Sequence, residues 1–149
     1  MSKSKEITQT PTITAGVYHA GDAVGGLLTF ANAASIYKGD GRITKVVIVD
    51  DAKQTAVLNL YLFDRTFTAM VDNAAWSPSD ADQQHCIGFI PIAAADYGNS
   101  DDNGVANVDC DFDFTLVSGG TSLFGQLVCT ATPTYAATDD LTVKITVNR

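Results

Sequence analysis

The side chains that could do chemistry fall into a few small groups. His85 and Cys86 are adjacent, but a nucleophile–base dyad needs hydrogen-bond reach, and neighbours on an extended chain point apart. His19 lies far off in sequence, and two histidines without a Glu-x-x-His spacing do not make a zinc site. Asn99, Asp101 and Asn103, followed by Gly104, match the opening of a calcium loop. The position owed to its bidentate glutamate is Cys110, so this stretch, Asp102 included, reads as a solvated turn. Asp109, Asp111 and Asp113 alternate with Cys110, Phe112 and Phe114. They line one outward strand face, able to meet water, a cation or a basic surface, with water the simplest partner. Trp76, Phe67 and Tyr61 offer rings on which a sugar could stack, although core or interface packing accounts for them more simply. Gly25-Gly26 lacks the downstream Gly and Lys of a phosphate loop. No catalytic residue, metal ligand or cofactor is expected from this set.

The elements that must carry these residues are strands. Leu141, Val143, Ile145 and Val147 point one way, and Thr142, Lys144 and Thr146 the other, the period of two that a half-buried strand requires. Similar segments run over 6–14, 24–30, 42–50, 57–63, 87–92, 108–116 and 123–130, separated by Gly, Pro, Asn and Asp. Gly25-Gly26 predicts a bulge, Pro91 an edge strand, and the doubly apolar 46–49 run a covered position. Ser77-Pro78 resembles a helix cap, so Pro78 to Gln84 is read as one or two helical turns, and Tyr97 to Asn107 as a polar loop. About eight strands, each with one apolar face needing cover, predict an all-β antiparallel sandwich, jelly-roll-like, with one short helical turn.

At 149 residues the chain is one domain of 16–149, preceded by an extended arm of 1–15. Its net charge of −8, with nine scattered Lys and Arg, argues against nucleic acid. No apolar run approaches the roughly 20 residues of a membrane span. The opening MSKSKEITQTPT has no apolar h-region, so no secretory signal is expected. Cys86, Cys110 and Cys129 are an odd count without metal spacing, consistent with free thiols and synthesis in a host cytoplasm.

Three stretches carry a likeness: AGDAVGGLLTFANA at Ala20 to Ala33, the run from Asp72 to Asn103, and PTYAATDDLTVKITV at Pro133 to Val147. Over residues 17 to 148 the chain resembles small virion structural proteins of tailed bacteriophages, of the capsid decoration (cement) or head-fibre type. The resemblance implies a noncatalytic component on the capsid surface of the virion. Its implied partner is the major capsid protein, and capsid symmetry favours a homo-oligomer, with a trimer preferred. The alternative is a tail- or fibre-associated module binding host-surface polysaccharide. Lys3, Lys5, Ile7 and Ile13 are the expected partner contacts. With so few apolar residues, the arm is expected to order only against a neighbour.

Overall fold

A computed structural model describes residues 3–149. The strands are β1 (Ser4–Gln9), β2 (Ala23–Phe30), β3 (Asp40–Asp50), β4 (Leu58–Phe63), β5 (Cys86–Ile92), β6 (Tyr97–Asn99), β7 (Gly104–Thr115), β8 (Leu123–Cys129) and β9 (Leu141–Asn148). One short helix, α1 (Asp80–Gln83), and a 3-10 turn at Ala94–Asp96 complete the described elements. Two antiparallel sheets result, ordered β1-β9-β3-β7-β6 and β2-β8-β4-β5. Their inner faces share one apolar core, with Val46, Ile48, Val143 and Ile145 from the first sheet meeting Leu58, Leu60 and Leu127 from the second. The chain is an all-β sandwich. The partnerships nest: β4 pairs with β5, β3 with β7, β2 with β8 and β1 with β9, as in one long hairpin rolled over itself.

Several local expectations hold. All four inward residues of β9 are fully buried. β3 sits between β9 and β7, and β5, with Pro91, is an edge. The register of β2 against β8 shifts between Val24 and Leu28, the bulge that Gly25-Gly26 implied. Gly25 has φ +75, and a Cβ there would stand 2.6 Å from that of Pro11, so no other residue fits.

Other expectations are corrected. The arm of 1–15 is not a separate element, although Met1 and Ser2 lie outside the described residues. Ser4–Gln9 pairs along its whole length with β9, and Ile7 and Ile13 are 8% and 2% exposed within the chain's own core. Burying each isoleucine contributes about 1.5–3 kcal/mol, and the β9 ladder satisfies the backbone. That offsets the ordering cost within the chain itself. The helix is capped by Ser79 rather than Ser77, its side chain accepting from the Asp82 N–H at 3.1 Å. Pro78 therefore precedes the cap. The expected loop of 97–107 contains β6 and the start of β7, paired as a tight hairpin in which a Cβ at Gly104 would collide with the Asn99 side chain.

Candidate functional site

The long connection after β4 lies over the outer face of the four-stranded sheet, tied to it strand-fashion. Ala23 donates to the Ala74 carbonyl at 2.8 Å, Asn73 to that of Ala23 at 2.8 Å, and Trp76 to that of Gly21 at 2.9 Å. Beneath it, the fully buried Gln126 accepts from the Met70 N–H at 3.0 Å and donates to the carbonyls of Gly25 and Met70, both at 2.8 Å. Asp72 is the second tie. Its carboxylate accepts from Thr14 Oγ1 at 2.6 Å, the Tyr18 hydroxyl at 2.5 Å and the Gly25 N–H at 2.6 Å. Burial first, and then the bond to Asp72, push the Tyr18 phenol up to about 12. Sequence reading passed over Asp72, since nothing in a long polar connection marks which carboxylate turns inward.

The aromatic residues singled out as a sugar platform meet here. Tyr61 lies 4.9 Å from Trp76 and 5.1 Å from Phe89, tilted by 32° and 31°. Phe63 and Phe67 stack at 3.8 Å, and the edge of Trp76 meets both. These rings are turned on one another, so most faces are occupied. Phe89, 48% exposed, ends the stack. Phe63 and Phe89 were the members that sequence reading missed, although the period of two puts both on the face of Tyr61.

The opposite outer face is bare. Asp109, Asp111 and Asp113 are exposed on it, as expected. Arg42 Nε donates to Asp113 Oδ1 at 2.5 Å and its guanidinium reaches Asp111 at 4.0 Å. The Arg42 bond holds the Asp113 carboxyl below its usual range. β6 covers only Gly104–Ala106, so the rest of β7 is an unpaired edge, and its carboxylates deter a foreign strand from adding there. Among the described residues no metal-holding cluster of His, Cys, Asp or Glu forms.

At the end of the sandwich where β3 finishes, Asp50 is fully buried. It accepts from the N–H groups of Ala52, Gln54 and Thr55 at 2.8–3.0 Å. Burial pushes its carboxyl up against those bonds, and nearby Asp140 adds to the rise. Asp140 accepts from Ala136 and Ala137, both at 2.8 Å. Both acids hold turns. The Asn99–Gly104 loop closes on itself, Ser100 donating its N–H to the Asn103 carbonyl at 2.8 Å, with Lys53 reaching the Asp101 carbonyl at 3.2 Å.

Beside His85, the Cys86 thiol donates to the Gly88 carbonyl at 3.7 Å. His19 is 80% exposed beside Asp22. Cys129 is buried and Cys110 half-buried, and burial raises both thiols. Of the expected partner contacts, Ile7 and Ile13 are consumed by the core, while Lys3 is exposed and Lys5 half-buried. Residues that sequence reading did not single out stand at the end where β3 begins. Ile36 and Tyr37 are 68% and 90% exposed. Two apolar residues beside the Gly39-Asp40-Gly41 turn were the available signal.

Among the described residues no helix is long and apolar enough to cross a membrane. No family model matches the chain, and no curated protein matches it.

Proposed function

We propose that the chain is a noncatalytic virion structural protein, a decoration protein that binds the outer surface of a capsid lattice and stabilises the head. The sequence resemblance suggests the class. The carrying observation is that the groups best suited to chemistry are engaged in holding the fold: Asp50, Asp72 and Asp140 accept from backbone or hydroxyl donors, Gln126 bonds the backbone of Gly25 and Met70, and the aromatics pack on one another. The nested strand pairing is the order that a jelly roll requires, which supports that finer reading of the sandwich. The proposed partner is the major capsid protein, with a trimer as the favoured assembly on the virion surface. The acidic chain, at net charge −8, is not read as a binder of nucleic acid or membrane. A mass-spectrometric inventory of purified virions tests the reading. Hundreds of copies per particle are expected, and absence from the particle would overturn it.

One observation favours a second reading, a tail-associated module for host polysaccharide: the exposure of Phe89 at the end of the aromatic stack. A dozen copies or fewer per virion, with glycan binding lost in Phe89→Ala, is what that reading expects.

A further inference from the structure

Ile36 and Tyr37 are held out from the sandwich by a built turn. Ser35 donates its N–H to the Asp40 carbonyl at 3.0 Å, and Gly39 donates to the Ser35 carbonyl at 2.8 Å. The Tyr37 N–H reaches Ser35 Oγ at 3.3 Å. The turn is anchored below by the fully buried Ala33 and Ala34 and by the bond from the Leu116 N–H to the Gly39 carbonyl at 2.7 Å. Nothing in this geometry calls for apolar side chains at the tip. A polar pair would satisfy the same backbone bonds without exposing an isoleucine and a tyrosine to water. A pre-ordered aromatic and aliphatic pair loses little entropy on binding, and tyrosine is among the residues that dominate interfaces.

Grooves flank the tip on both sides. One, of about 310 Å³, lies between Tyr37 and the pair Lys3 and Arg149. The other, of about 160 Å³, runs between Ile36 and Val117, with Lys38 on its wall. Val117 is itself 37% exposed, which extends the apolar surface. Charge is divided between the two ends of the sandwich. Among the described residues Lys3, Lys38 and Arg149 form no ion pair. The nearby Asp113 and Asp64 are held by Arg42 and Arg65. At the opposite end, Asp51, Asp101, Asp102 and Asp139 are exposed, and Lys53 reaches the Asp101 carbonyl. The chain as a whole is strongly acidic, so three unpaired cations gathered beside the apolar tip mark a directed contact.

We infer that the Ile36–Tyr37 tip, rimmed by Lys3, Lys38 and Arg149, is the docking end of the molecule, and that its partner is an acidic protein surface with an apolar recess. This rests on the capsid-binding reading and names the part of the chain that performs it. Tyr37 and Ile36 supply the buried centre, and the cations steer and orient approach.

The test uses full-length protein and purified capsids, lacking this protein, of the virus that encodes it. Wild type, Ile36→Ser/Tyr37→Ser, Lys3→Glu/Lys38→Glu and Lys53→Glu are compared by co-sedimentation at two salt concentrations. Thermal melts check folding, which exposed positions should leave unchanged. The inference expects the apolar double variant to bind about tenfold more weakly or worse. The Lys3/Lys38 variant should be weaker with a flattened salt dependence, and Lys53→Glu should bind like wild type. Equal binding by wild type and the apolar double variant would overturn the docking assignment while leaving capsid binding intact. Failure of wild type to bind at all would overturn both. Tip-dependent polymers of the chain alone at low salt would overturn the capsid partner in favour of a second copy's acidic end.

Discussion

The outer face of the four-stranded sheet is roofed by residues 64–85, whereas that of the five-stranded sheet is bare. Beneath the roof lie Gln126, the Phe63–Phe67 stack and the Asp72 knot. On the bare face stand Thr142, Lys144, Thr146 and the three aspartates of β7, groups that water solvates without help. The contrast shows what each side chain class is for in this fold. Aromatics, Gln126 and the half-buried Asp72 make a third layer that holds the connection down, and the charged face guards an open strand edge. What projects beyond both needs is the tip.

The largest expected effect breaks the roof. Phe63→Ala removes a fully buried ring from the stack and should cost about 3–5 kcal/mol in urea unfolding. A loss under 1 kcal/mol would mean that the connection packs loosely and is no layer of the structure.

Paired tyrosines sharpen the comparison. Tyr18→Phe removes a donor to Asp72 and an acceptor for the Thr14 N–H, and should cost about 1–3 kcal/mol. Tyr135 is as deeply buried, but its hydroxyl finds no hydrogen-bond partner among the described residues. Tyr135→Phe should therefore be neutral or stabilising in the same assay. Equal losses in the two variants would contradict the Asp72 knot.

Asp50 tests the buried turns through pH. Its carboxyl is raised in the folded state, so the folded chain holds that proton more tightly than the unfolded one. Its contribution to stability therefore increases as pH falls from the raised value toward the ordinary carboxylate value of roughly 3.9. Unfolding free energies of wild type and Asp50→Asn, measured across that window, should differ in slope, the variant lacking the increase toward acid. Parallel curves would show that burial does not govern this group.

The smallest effect belongs to the bare face. Arg42→Ala should leave the urea midpoint unmoved, since its partners are solvent-exposed. By NMR titration the Asp113 carboxyl should rise toward its ordinary value once its donor is gone. A shifted midpoint with an unmoved Asp113 would reverse both assignments.

Much of the fold was legible because it depends on local alternation. The β9 pattern, the Gly25 bulge and the edge position of Pro91 each follow from one residue's geometry. Two features depended on partners distant in sequence. β1 is stable because β9, over a hundred residues away, supplies its ladder. Asp72 matters because Thr14, Tyr18 and Gly25 converge on it. The cap at Ser79 in place of Ser77 is a smaller case, since either serine suits the role and only the backbone path selects one.

We propose that this sandwich uses its reactive groups to hold its own fold and acts by binding a capsid. The direct measurement is the disruption temperature of purified capsids of the encoding virus, prepared without the protein and titrated with it. The account predicts a rise that saturates at a lattice-defined stoichiometry. Capsids whose disruption temperature is unchanged at saturating protein would contradict it.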